Sequence, residues 1–191
     1  VEGKNTWLVH YSTDFVFDGS KQRPYSPEDA VNPLSAYGRS KLEGEKAILA
    51  RKLENACIVR TAWLFGPGRK NFVDTILAKA ADGEPLRVVD DQLGSPTFTE
   101  DLAGYSLSLA QTRTPGIFHI ANRGSASWFT LAQTALRLKG LTTPITPVKT
   151  GDFPCKAARP AYSVLQTRRF TEATGIVPRA WTAALEDYLG A

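Results

Sequence analysis

Trp7-Leu8-Val9-His10-Tyr11-Ser12-Thr13-Asp14-Phe15-Val16-Phe17 is the stretch that decides the fold: a buried strand pattern running into a loop, with hydroxyls where the strand ends. Turn formers fill the next segment, Asp18 to Pro33, where Gly19, Pro24, Pro27 and Asn32-Pro33 interrupt regular backbone. Ser35 is then placed to cap a helix over Tyr37 to Leu53, in which Tyr37, Leu42, Ala47, Ile48 and Leu49 recur at a broadly helical period among Lys and Glu. A second apolar run, Ala56 to Arg60, follows at once. Strand, helix, strand in this order is the grammar of a parallel sheet, so the chain reads as α/β.

Pro67-Gly68 marks a loop leaving the edge of that sheet. Beyond it the pattern predicts helices at about Asn71 to Ala81, Glu100 to Ala110 and Phe129 to Leu138, and strands at Leu86 to Val89 and Ile117 to Ala121. The tail reads as a strand at Thr143 to Lys149, a loop from Phe153 to Tyr162, and short helices near Thr167 to Thr174 and Trp181 to Leu189. The expected architecture is therefore a partial Rossmann-like doubly wound parallel sheet over residues 1–67. A smaller mixed α/β substrate-binding lobe is expected over most of 68–191, with some elements returning to the first unit.

Composition narrows the function classes. The 191 residues are 42% hydrophobic and 22% charged, which is ordinary for a folded globular chain and unlike a disordered one. The 23 Lys and Arg against 19 Asp and Glu are scattered rather than gathered into a tract, so no nucleic-acid partner is expected. No apolar run approaches the roughly 20 residues of a membrane span, and Cys57 and Cys155 are too few for a disulfide framework. A soluble, cytoplasmic protein with reduced thiols is the expectation. His10 and His119 sit in strand-like runs as core or edge residues, and no His/Cys cluster or paired-carboxylate spacing supports a metal, Mg²⁺ included.

Tyr37-Gly38-Arg39-Ser40-Lys41 puts a phenol and an ammonium about one turn apart on one helix face. A free Tyr titrates near 10, and a neighbouring cation favours the phenolate. Lys41 can supply that cation. The preceding strand ends in Ser12 and Thr13 at the carboxyl edge of a parallel sheet, where open α/β folds bind ligands. Asp14 and Trp63 follow the two strand ends, which makes them substrate-binding candidates.

The run Ser12-Thr13-Asp14-Phe15-Val16-Phe17-Asp18-Gly19, with Asn32-Pro33-Leu34-Ser35-Ala36-Tyr37-Gly38-Arg39-Ser40-Lys41, resembles the extended short-chain dehydrogenase/reductases, and within them the dTDP-4-dehydrorhamnose reductase family. Supporting matches are Arg60-Thr61-Ala62-Trp63, Asp91-Gln92-Leu93-Gly94-Ser95-Pro96-Thr97 and Arg159-Pro160-Ala161-Tyr162-Ser163, so the resemblance spans nearly the whole chain. It implies catalytic roles for Thr13, Tyr37 and Lys41, with Tyr37 and Lys41 also touching the cofactor, NADPH or NADH. It implies substrate contacts for Asp14, Trp63 and Arg159, the last as a guanidinium suited to a diphosphate. The implied reaction is reduction of the C4 ketone of a nucleotide sugar, dTDP-4-dehydro-L-rhamnose, for cell-surface polysaccharide synthesis.

Two alternatives stand beside it: another nucleotide-sugar epimerase or reductase, which would share the Thr, Tyr and Lys, and a non-catalytic regulatory subunit on the same fold. Asp14-Phe15 lacks the Glu that the related dehydratases use, and the complete triad favours an enzyme. One family feature is missing: no Gly-x-x-Gly-x-x-Gly turn for a cofactor pyrophosphate occurs, and Phe65-Gly66-Pro67-Gly68 follows the wrong strand. The sequence also holds no Met and opens on Val1. The expectation is that the cofactor cradle lies upstream, that these 191 residues alone are inactive, and that the first strand exposes an edge able to recruit a partner, a second copy in a homodimer included.

Overall fold

The computed structural model describes residues 6–152 and 157–190. In chain order the elements are β1 (Leu8–Thr13), α1 (Ala36–Ala50), β2 (Ala56–Thr61), β3 (Leu64–Phe65), α2 (Phe72–Ala81), β4 (Leu86–Val89), β5 (Leu93–Gly94), β6 (Thr97–Phe98), α3 (Thr99–Thr112), β7 (Gly116–His119), β8 (Ala126–Ser127), α4 (Trp128–Leu138), β9 (Ile145–Val148), α5 (Arg168–Thr174) and α6 (Trp181–Leu189). The main sheet is parallel with strand order β1-β2-β7. The α/β expectation and its parallel strands are borne out.

All six residues of β2 are buried, as befits a central parallel strand covered on both faces. On one face Cys57 and Val59 pack with Phe118, Leu102 and Leu109 of α3, and Phe170 of α5. On the other face Arg60 reaches α1. Removing side chains of this size from water contributes roughly 1.5–3 kcal/mol each, so this layer anchors the sheet. The elements that return to it from the second half are α3, β7 and α5.

Local signals set the ends of the elements. Ser35 caps α1 through its Oγ, which accepts from Gly38 N at 3.1 Å, as its sequence position predicts. Asn71 and Ser127 cap α2 and α4 in the same way. Some boundaries move inward. The helix expected to run to Leu53 ends at Ala50, because Lys52 takes a left-handed φ of 49° and the chain reverses to enter β2. The first strand stops at Thr13, where the side chain accepts from Phe15 N at 3.2 Å and starts one 3-10 turn, Asp14–Val16. The strand expected to reach Ala121 ends at His119.

Between Leu64 and Val148 the described residues form three pairs of short strands outside the main sheet. β3 pairs with β6 and β4 with β9 in parallel, and β5 pairs with β8 antiparallel. Leu131, Ala135, Ala184 and Leu185 pack with Phe65, Val73 and Phe98 to form one core, and Ile76, Leu86, Val88 and Leu136 form another. An extended strap over residues 160–166 ties β5 to the loop that carries Tyr25. It bonds on one side to Leu93, with Leu93 N to Ala161 O at 2.8 Å and Ser163 N to Leu93 O at 2.7 Å. On the other side Tyr25 N donates to Val164 O and Gln166 N to Tyr25 O, both at 2.8 Å. The loop expected from Phe153 to Tyr162 lies partly outside the described residues, as does Cys155.

Candidate active site

A cleft of about 630 Å³ opens at the carboxyl ends of β1 and β2. Thr13, Asp14, Tyr37, Lys41, Trp63 and Arg159 all line it, so the six residues singled out from sequence meet in one place. β1 delivers Thr13, its 3-10 turn delivers Asp14, and α1 delivers Tyr37 and Lys41.

Tyr37 is half exposed, and its ring meets Phe15 edge-on at 6.0 Å between centroids. Lys41 Nζ donates to Tyr11 O at 3.1 Å, which holds the ammonium against β1 on the cleft wall. α1 can approach this closely because Gly38 has no side chain: a Cβ there would lie 2.2 Å from Phe15 O.

Asp14 is buried, and that burial pushes its carboxyl up to about 6, against the opposing pull of the Ser163 and Thr13 hydroxyls and nearby backbone amides. Thr13 Oγ1 donates to Asp14 Oδ1 at 3.0 Å. Asp14 Oδ2 is buried without a hydrogen-bond partner among the described residues, and so is Thr61 Oγ1 on the neighbouring strand end. Both groups belong to residues that line the cleft, which leaves hydrogen-bonding capacity for a polar ligand there.

Trp63 leaves β2 with a left-handed φ of 48°. Its ring stacks on Trp128 at 3.6 Å between centroids and 6° between planes, and it covers Gly94, where a Cβ would lie 2.3 Å from the indole. Trp128 Nε1 donates to Gln92 Oε1 at 3.2 Å, and Gln92 Nε2 donates to Thr150 Oγ1 at 3.0 Å. Beyond Trp128 a second cleft of about 470 Å³ runs along β4, lined by Phe72, Arg87, Val88 and Gln92. Trp128 and the exposed Arg159 border both clefts. Sequence reasoning missed Trp128, whose only signal is an aromatic directly after the helix cap Ser127, and Thr61, hidden within an apolar strand.

His119 is fully buried, with Nδ1 3.0 Å from Tyr25 O. His10 Nε2 is buried with no hydrogen-bond partner among the described residues, beside Gly44 of α1. Neither lines the cleft. No group of three or more His, Cys, Asp or Glu side chains among the described residues could hold a metal ion.

A parallel sheet with Thr at one strand end, and Tyr and Lys four residues apart on the following helix, is the arrangement of the short-chain dehydrogenase/reductases. Within that class the chain belongs to the RmlD substrate binding domain family, whose model matches residues 2–191. It is 44% identical over 181 residues to the spore coat polysaccharide biosynthesis protein SpsK of Bacillus subtilis (strain 168), covering 95% of this chain and 63% of SpsK. It is 42% identical to a dTDP-4-dehydrorhamnose reductase of Mycobacterium tuberculosis H37Rv, covering 96% of this chain and 62% of that protein. The crystal structure of a dTDP-4-dehydrorhamnose reductase from Clostridium acetobutylicum superposes with a TM-score of 0.91 at 42% identity, over 96% of this chain and 65% of that one. One from Bacillus anthracis, in complex with NADP, gives 0.90 at 35% identity, over 95% and 64%. The chain spans 61–63% of the length of the first curated relatives it matches.

Proposed function

We propose that the full-length protein reduces the C4 ketone of dTDP-4-dehydro-L-rhamnose with NADPH or NADH, and that this chain supplies the proton-transfer groups and most of the sugar-nucleotide site. The observation that carries this reading is the convergence of Thr13, Tyr37 and Lys41 on one cleft at the carboxyl edge of a parallel sheet. Relatives 35–42% identical are named for the same reduction.

Tyr37 stands at the cleft as the acid that protonates the developing alkoxide. The Thr13 hydroxyl, which donates to Asp14 here, turns to the sugar oxygen, and the Asp14 carboxylate accepts a sugar hydroxyl in exchange. Trp63 forms a flat wall for the ring, and Arg159, bordering both clefts, sits where the diphosphate would cross from one to the other. The nucleotide then extends along the cleft by Trp128 and β4. For the cofactor, the fit is to its nicotinamide end: the Tyr37 phenol and Lys41 ammonium suit the ribose hydroxyls. A bound nicotinamide supplies the hydride. No Gly-rich turn for its pyrophosphate occurs in these 191 residues, which assigns that contact to another part of the full-length protein.

In this reading residues 1–67, with α3, β7 and α5, form part of the dinucleotide-binding unit, and the rest is the substrate lobe. Among the described residues β1 pairs on one side only, and its other edge is offered to a further strand of the full-length protein or of a second copy. No described helix is long and apolar enough to cross a membrane. A cytoplasmic setting suits the buried free thiol of Cys57.

The test is turnover by the full-length protein. Oxidation of NADPH or NADH should require dTDP-4-dehydro-L-rhamnose, and equal rates with simple ketones lacking the nucleotide would remove the sugar-nucleotide reading.

A further inference from the structure

Helix α1 carries three polar side chains at four-residue intervals on one stripe: Tyr37, Lys41 and Glu45. The first two reach the cleft, whereas Glu45 is 1% exposed. Its carboxylate is enclosed. Ser12 Oγ donates to Oε1, Arg60 Nε donates to Oε1 at 2.9 Å, and Arg60 Nη2 donates to Oε2 at 2.6 Å.

Ser12 and Arg60 are register partners across β1 and β2, and the next rung toward the cleft is Thr13 with Thr61. Glu45 therefore clamps the rung directly beneath the one that presents Thr13. β7 continues the polar rung with His119 opposite Arg60. Burial and the Arg60 charge bring the imidazole down to about 3, so it adds no second cation beside the guanidinium. Arg60 also reaches the turn-rich loop, with Nη1 3.4 Å from Pro27 O and its guanidinium 5.2 Å from the Phe17 ring.

Besides this clamp, Lys41 Nζ donates to the Tyr11 carbonyl of β1, and two further close approaches of α1 to β1 and the turn after it are made at glycine. Gly38 faces the Phe15 carbonyl, and Gly44 faces the His10 ring. Glycine contacts and a single bond from a long, flexible lysine leave the position of a helix loosely set, while a bidentate carboxylate–guanidinium pair fixes it. Buried pairs are weak devices for stability and better attested as devices for register. We propose that Glu45 is a positioning residue: with Arg60 and Ser12 it sets where α1 lies along β1, and so holds Tyr37 and Lys41 over Thr13. The inference rests on the reductase reading above.

Glu45→Gln in the full-length protein keeps the side chain's size and removes the charge pair. The expected result is a fall in kcat of about 10- to 100-fold, the effect of displacing a reacting group by about 1 Å, with both KM values changed by less than about threefold. Placed on a Tyr37→Phe background, the same change should cost nothing further in the residual turnover, because Glu45 acts through Tyr37. An equal loss on both backgrounds, or a raised KM at normal kcat, overturns the proposal. Ser12→Ala, a milder cut that leaves the ion pair intact, should give a smaller fall with the same non-additivity, and it serves if Glu45→Gln does not fold. A crystal structure of either variant gives a readout independent of activity. Tyr37 Oη should move away from Thr13 Oγ1, and an unmoved pair overturns the proposal. If the wild-type protein reduces no nucleotide sugar, the reductase reading falls, and the crystal structure still decides the positioning.

Discussion

On the sheet side of the cleft, Thr13, Tyr37 and Lys41 are held by regular backbone: one strand end, and one helix capped by Ser35 and seated on glycine. On the opposite side, Trp63 is held by a left-handed backbone and a stack on Trp128, and Arg159 directly precedes the extended strap. The first arrangement is set by the register of β1 on β2 and by the seat of α1 on that strand pair. The second depends on contacts between distant residues. In the proposed reading the groups that move protons sit on the first side and the groups that select the ligand on the second, so substitutions on the two sides should separate turnover from binding.

The largest expected effect is on the sheet side. Tyr37→Phe removes only the transferable proton, so kcat should fall by about 10²- to 10⁴-fold while cofactor affinity stays near normal. Steady-state kinetics with a calorimetric binding measurement check both halves, and a variant keeping more than about a tenth of normal kcat would break the assignment of sides. On the lobe side, Trp128→Ala removes the partner of Trp63 and a wall shared by both clefts. The KM for the nucleotide sugar should rise about tenfold with kcat little changed, since one lost aromatic stack is worth about 1 kcal/mol or somewhat more. A comparable loss in kcat would erase the contrast.

The smallest effect concerns stability. Burial and Arg60 hold His119 at about 3, below its usual value of about 6.5. Between these values the folded chain binds fewer protons than the unfolded one, so the His119 contribution is present above about 6.5 and is lost as pH falls toward 3. Asp14, raised to about 6, acts in the opposite sense, its contribution being lost as pH rises from about 4 through 6. Thermal melts across this range should show a shallower acid-side decline for His119→Gln than for the wild type. Identical slopes would mean that the ring is not held neutral by its place in the sheet.

The same contrast explains what was legible in the sequence. The unit β1, α1 and β2 could be read because its signals are local: an apolar run, a Ser cap, a helical period, then a second apolar run. Tyr37 and Lys41 could be paired because four residues is one turn. β3, β5, β6 and β8, each of two residues, carry no periodic signal and exist only through partners far along the chain. The stack of Trp63 on Trp128 and the seat of Lys41 on the Tyr11 carbonyl join residues whose separation in sequence predicts nothing. The Glu45 and Arg60 pair was hidden for a further reason: a charged residue in a Lys- and Glu-rich helix reads as surface until the strand beneath it is known.

Trp63 shows how the width of the cleft is set. A left-handed backbone costs a non-glycine residue roughly 1–2 kcal/mol, so this tryptophan behaves like a sprung arm whose flat pad rests on Trp128 and Gly94. The bare backbone of Gly94 is the stop against which the pad comes to rest. A methyl group placed there would clash with the indole, so either the ring or the backbone of β5 would have to shift. The place of this wall is thus set from behind, at residue 94, away from Thr13, Tyr37 and Lys41 on the other side of the cleft.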